Sequence, residues 1–115
     1  MLTLEGLKEC GANVDEGLGR CVGSQDLYFK LVGMMVKDKN FDKLGEKVEN
    51  NNLQEAFEAA HSLKGASANL ALNPLTEALS NIVEPLRRSE ADFDYKGAYQ
   101  KVLEAKAVFQ NLVEN

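Results

Sequence analysis

The sequence predicts an all-α protein: an antiparallel up-down-up-down four-helix bundle with short N-terminal helices packed across it. Three observations lead there. Runs of alternating Val, Ile, Thr and aromatic residues are absent, and aromatics make up only 7% of the chain, which argues against strands. Proline stands only at Pro74 and Pro85. Apolar residues recur at steps of three and four over most of the second half. A chain of 115 residues has the size of one domain, and no linker, repeat or low-complexity tract divides it, so residues 1–115 are expected to form a single bundle domain.

Taken in order, a first piece over Leu2–Cys10 ends at Gly11 and a second over Asp15–Val22 ends at Gly23. A glycine just past a helix accepts the left-handed conformation that closes it. Ser24 is the N-cap of the next helix, with Asp26 in its first turn; Leu27, Leu31, Met34, Phe41, Leu44 and Val48 then recur at helical intervals toward Asn50. Gly33, Asn40 and Gly45 weaken that helix and are where it would bend. At Asn52 the pattern restarts. Leu53, Ala56, Ala60, Leu63, Ser67 and Leu70 form a narrow stripe suited to bundle packing. Asn73 as N-cap and Pro74 at the first helical position begin another helix, running to about Ser89 with Leu75, Leu79, Ile82 and Leu86 inward and Pro85 kinking its end. Asp92 or Asp94 caps a final helix whose Tyr95, Tyr99, Val102, Lys106, Phe109 and Val113 mark one side.

Composition excludes several functions. Thirteen Lys and Arg against eighteen Asp and Glu give a formal net charge of −5, which on average repels phosphate backbones and anionic membrane faces. Neither nucleic acid nor membrane is expected as a partner. No apolar run approaches the roughly 20 residues that span a bilayer. Met1-Leu2-Thr3-Leu4-Glu5 lacks the basic start and apolar stretch of a signal peptide, so a cytoplasmic protein is expected. A starting Met and a fitting end favour a free-standing protein, expected as a monomer. Cys10, Cys21 and His61 are the only cysteines and histidine, too few for the four ligands of structural zinc, and no Asp-rich Ca²⁺ loop occurs. There is no Gly-rich phosphate loop of either nucleotide-binding type. No metal or cofactor is expected on this chain, nor any phosphorylation of itself from ATP.

The chemical feature is His61, inside the strongest helix. It falls roughly 120° from the centre of the buried stripe at 3.6 residues per turn, so its ring should be mostly exposed. Lys64, Gly65, Ala68 and Leu72 follow on its side, and Glu58 and Gln54 precede it. Gly65 lies in a helix interior, where glycine costs about 0.5 to 1 kcal/mol relative to alanine. Either it clears the flank of the ring for another molecule, or it admits a neighbouring helix, or it is simply tolerated there. Lys64 is either a solubilising lysine or an ammonium placed to attract phosphoryl oxygens. Phe57, between the core stripe and His61, belongs either to the core edge or to an exposed apolar patch.

The run Ala60-His61-Ser62-Leu63-Lys64-Gly65-Ala66-Ser67-Ala68-Asn69-Leu70-Ala71-Leu72 resembles the histidine-containing phosphotransfer (HPt) domain, whose motif is His-x-Leu-Lys-Gly followed by small residues and an apolar pair. Gly17-Leu18-Gly19-Arg20 and Asp26-Leu27-Tyr28 are similar to that family's N-terminal segment, so the likeness covers nearly the whole chain. It implies that His61 is phosphorylated, that Lys64 helps electrostatically and that Gly65 lets a receiver domain dock. Two positions depart from the family pattern. Ala71 stands where many members have glycine, a change expected only to stiffen the turn. Val83, 22 residues after His61, stands where members often place a Glu or Gln that holds the ring's Nδ1 proton; either the adjacent Glu84 reaches the ring through the kink at Pro85, or the tautomer is fixed by water or not at all, and the role is not carried over to Val83.

The expected mechanism is attack by neutral His61 on an aspartyl phosphate of a receiver domain, with Mg²⁺ held by the receiver. The expected partners are the receiver domain of a response regulator, a hybrid histidine kinase, or both. Phe57, Gly65, Ala68 and Leu72 form the expected docking patch, with Lys64 and Arg87 or Arg88 at its rim. Two other readings are a small helical enzyme pairing His61 with Cys10 or Cys21, and a scaffold that keeps the bundle without the phosphoryl chemistry.

Overall fold

Short polar side chains start the helices and fix where each begins. In a computed structural model that describes residues 2–114, the elements are α1 (Leu4–Glu9), α2 (Val14–Arg20), α3 (Gln25–Val36), α4 (Asn40–Glu49), α5 (Leu53–Asn69), α6 (Asn73–Arg87) and α7 (Tyr95–Glu114). Thr3, Asn13, Ser24 and Asn52 each accept a hydrogen bond from the backbone N–H three residues on, at 2.9 to 3.2 Å. Asn52 also donates to the Glu55 carboxylate at 2.6 Å, so each end of that first turn holds the other. Asp94, not Asp92, caps the last helix, accepting from Gly97 N at 3.0 Å.

Three expectations are corrected. The helix read from Ser24 to Asn50 is two helices. Lys37 N and Asp38 N bond back only three residues, to Met34 O and Met35 O, and Asp38 Oδ1 accepts from Asn40 N at 2.8 Å. That side chain competes with the helical backbone for Asn40 N–H and restarts the chain in a new direction. Within α3 the inward residues are Tyr28, Val32, Met35 and Val36, whereas Leu27 is 39% and Met34 58% exposed. The register is set by Tyr28: its ring lies against Gly17 of α2, where a Cβ would come within 2.5 Å of it, and its hydroxyl donates to Leu70 O at 2.9 Å. Asn73 does not cap α6; it is the first helical residue, and Leu72 takes the cap position without a side-chain bond.

The core is continuous. Helices α4, α5, α6 and α7 form a closed ring of neighbours, α5 against α6 most extensively and α4 against α7 completing it. The helix α3 packs on α5 and α7, and α1 on α2 and α7. Ala56, Ala60, Leu63 and Ser67 of α5 face inward as the stripe predicts, with Leu75, Leu79, Ile82 and Leu86 of α6 opposite. Ser67, fully buried, lies 2.8 Å from Thr76 Oγ1 and donates to Lys64 O at 3.1 Å, so its hydroxyl is satisfied between α5 and α6. Tyr95 reaches back from α7 to Glu90 O at 2.6 Å and closes the α6–α7 connection. No helix among the described residues is long and apolar enough to cross a membrane.

Candidate functional site

Half-way along α5 the helix turns its polar side outward, and His61 stands there exposed with Ser62 beside it. One turn earlier on the same face, the half-buried Phe57 lies parallel to the imidazole, ring centroids 5.4 Å apart and planes inclined by 17°. Residues four apart on a helix meet in this way, within the range of offset aromatic stacking. Arg87 comes across from α6 to set its guanidinium carbon 5.2 Å from the Phe57 centroid.

Glu84, one turn before Arg87 on α6, faces two cations. Its Oε1 lies 3.7 Å from Arg87 Nε, and its Oε2 lies 4.0 Å from Lys64 Nζ of α5. Each pair is long and partly solvated, of the kind worth about 0 to 1 kcal/mol. The Glu84–Lys64 pair links α5 to α6 beside the histidine. Val83, one residue earlier and about 100° round the helix, is wholly buried in the core and faces away from the ring. Gln54 donates to Glu58 at 3.2 Å, and among the described residues no hydrogen bond is made to the imidazole.

Gly65 lies one turn beyond His61, and a Cβ built there would meet no atom within 4 Å. Its missing side chain therefore admits no neighbouring helix. Ala68 is half-buried further along the same face. Next to it the Arg20 guanidinium of α2 donates to the Ala68 carbonyl and pairs with Glu16 at 2.6 Å, tying α2 to the exposed end of α5.

Leu72 does not join the patch. The helix ends at Asn69, Ala71 takes the left-handed conformation at φ 55°, and Leu72 N bonds Ser67 O at 3.1 Å; beyond that turn the helical wheel no longer applies, and Leu72 is fully buried. Ala71 thus does more than stiffen the turn, since it occupies a conformation suited to glycine. Arg88 also leaves the rim, pairing with Glu90 at 2.9 Å. Of the cysteines, Cys21 is buried and Cys10 half-buried at the ends of α2 and α1.

The structure therefore brings together His61, Phe57, Lys64, Gly65 and Ala68, keeps Arg87 rather than Arg88 at the rim, sets Glu84 against Lys64 and Arg87, and removes Leu72. Arg87 and Glu84 carry a faint sequence signal, an acid and a base three apart on one helix, but their reach to Phe57 and Lys64 depends on how α6 lies against α5. A groove of about 780 Å³ between α6 and α7, lined by Pro74, Ala78, Phe93, Ala98 and Val108 among others, does not include His61. The imidazole stands on an outward face with room beside it for another molecule. Among the described residues, no group of three or more His, Cys, Asp or Glu side chains is placed to hold a metal ion.

Comparison with known proteins adds one finding. No curated protein and no solved structure matches the chain. The family model of the Hpt domain matches residues 38–110, more than half of the chain and the whole span from the start of α4 to the last turns of α7. Hpt domains serve histidine phosphotransfer in phosphorelays, as carriers of the group rather than catalysts, in contact with the receivers and kinases of two-component systems. On that match, over the helices that form the ring and carry the exposed histidine, the chain belongs to the Hpt domain family.

Proposed function

We propose that His61 carries a phosphoryl group between receiver-domain aspartates, or from a histidine kinase to a response regulator. The observation that carries this reading is the single exposed imidazole beside Gly65, whose flank is open. In the transfer, the lone pair of an unprotonated ring nitrogen attacks phosphorus in line. The bond from phosphorus to the aspartyl oxygen breaks, and the carboxylate leaves with that electron pair. The product is a phosphoramidate on His61, and the reverse reaction hands the group to the next receiver. Lys64 is the cation beside the acceptor, drawing the phosphoryl oxygens and stabilising their charge.

The chain supplies the nucleophile, and the partner supplies the rest of the site, including carboxylates that hold Mg²⁺. No cofactor is assigned to this chain. Phe57, Gly65 and Ala68 form the low-relief surface on which the receiver docks, with Lys64 and Arg87 at its edge. The whole chain acts as one cytoplasmic, monomeric domain, and a short-lived contact suits a carrier that must leave one partner for the next.

The test is transfer from a phosphorylated receiver domain in Mg²⁺, followed by addition of a second, unphosphorylated receiver. Label should pass to the native protein and onward, and should not appear on His61→Gln. Absence of label with several receivers, on a folded protein, would favour the scaffold.

A further inference from the structure

We propose that Phe57, held by Arg87, is the positioning residue of the His61 ring, an inference that rests on reading His61 as the nucleophile. The lone pair of an imidazole nitrogen lies in the plane of the ring. In-line attack therefore succeeds only when that plane contains the line to phosphorus. An exposed histidine on a helix surface is otherwise free to turn about both side-chain torsions, and among the described residues no hydrogen bond fastens this ring. What the ring does have is a parallel neighbour. The Phe57 ring, 5.4 Å away and inclined by 17°, sets the plane in which the lone pair lies.

Phe57 can serve as that reference because it is itself fixed on two sides. It is half-buried and packs against the core, and the Arg87 guanidinium lies over its ring at 5.2 Å. Arg87 is in turn met by Glu84 at 3.7 Å on the same helix. The plane of the imidazole is thus referred to α6 as well as to α5. A half-turn of the imidazole about its outer torsion keeps the same plane, so the stack aims the ring and the location of the proton selects the nitrogen.

The test uses Phe57→Leu, which keeps an apolar side chain without the ring, Phe57→Tyr, which keeps the ring, and Arg87→Gln. His61 is the only histidine, so its two carbon-bound ring protons give a single assignable pair in proton–carbon NMR of the unphosphorylated protein. Stacking displaces that pair by the ring current of Phe57. The displacement should be present in the native protein, retained in Phe57→Tyr, reduced in Arg87→Gln and lost in Phe57→Leu, with thermal unfolding confirming that each variant is folded. In the second arm, transfer from a phosphorylated receiver is followed over a range of receiver concentrations. Leucine keeps an apolar side chain for the receiver to pack on, so Phe57→Leu should lower the rate at saturation by about three- to tenfold, the factor a stack of this kind is worth, while raising the half-saturating concentration by a smaller factor, and Phe57→Tyr should restore the rate at saturation.

Ring-proton shifts that are the same in Phe57→Leu as in the native protein would overturn the proposal. So would a variant whose only defect is a raised half-saturating concentration, which is the mark of a docking contact. The two readings fail separately: a native protein that accepts no phosphoryl group defeats the proposed function, while the NMR shifts still decide whether Phe57 aims the ring.

Discussion

Gly65 is a residue whose penalty is not offset within its own chain. It lies inside α5, where alanine is favoured by about 0.5 to 1 kcal/mol, and nothing stands within 4 Å of where a Cβ would go. Gly65→Ala should therefore raise the midpoint of urea unfolding by about that free energy. The same methyl group would stand beside His61 in the path of a docking partner, so transfer from a receiver should slow by about tenfold, equivalent to about 1.4 kcal/mol of lost binding. A substitution that stabilises the fold and impairs the transfer separates the two demands on this position; unchanged transfer would remove Gly65 from the docking surface. At this scale much was legible in the sequence. The wheel alone turns His61, Lys64 and Gly65 outward, because a long regular helix keeps its phase from Leu53 to Asn69. Leu72 was misread because Ala71, at φ 55°, ends that phase. Arg87 was legible as a rim residue, but its place over Phe57 and the pairing of Glu84 with Lys64 were not, because those partners lie on another helix.

The connection between α2 and α3 holds two features with opposite consequences. Val22 is 87% exposed and adopts φ 48°, a left-handed conformation that a β-branched side chain tolerates poorly. Val22→Asn keeps the turn in a residue that visits this region readily and loses almost no apolar burial, so it should stabilise the protein by about 1 kcal/mol in urea. Gly17, one turn before on α2, is the reverse case. A Cβ there would fall 2.5 Å from the Tyr28 ring, so Gly17→Ala should displace Tyr28 from Leu70 O and destabilise the fold by about 1 to 3 kcal/mol. The same contact explains an error at the element scale. Leu27, Leu31 and Met34 form a stripe as regular as Tyr28, Val32 and Met35, and periodicity does not choose between two stripes one residue apart. Gly17 and Leu70 choose, by receiving the ring and the hydroxyl of Tyr28. The break between α3 and α4 was likewise hidden, since Asp38 is an ordinary surface residue until its carboxylate takes Asn40 N–H.

Across the whole molecule, the three tyrosines tie one element to another: Tyr28 to the end of α5, Tyr95 to Pro85 O of α6 at 3.2 Å and to the α6–α7 connection, and Tyr99 to Phe41 O of α4 at 2.9 Å. Burial raises each phenol above its ordinary 10.0, assisted by Cys21 at Tyr28, by Asp42 at Tyr99 and by Glu90 at Tyr95, where Arg88 acts in the opposite sense. A proton held more tightly in the folded state contributes stability that is complete below pH 10 and is lost as the pH rises through the raised folded value. Unfolding free energy measured at about pH 9 and about pH 11 should fall, and the fall should be smaller in Tyr28→Phe although that variant starts less stable. The all-helical ring was legible at this scale, because the stripes of α5, α6 and α7 each need an apolar neighbour. The site was legible as a position on that ring, while the contacts that its α6 side chains make with α5 were not. The central claim is that the phosphoryl group resides on the imidazole. Its most direct test is proton–phosphorus correlation on the protein after transfer from a phosphorylated receiver. The expected result is one phosphorus resonance, labile in acid and stable in base, correlated with the ring protons of His61. A phosphorus stable in acid, or one correlated with no imidazole proton, would contradict it.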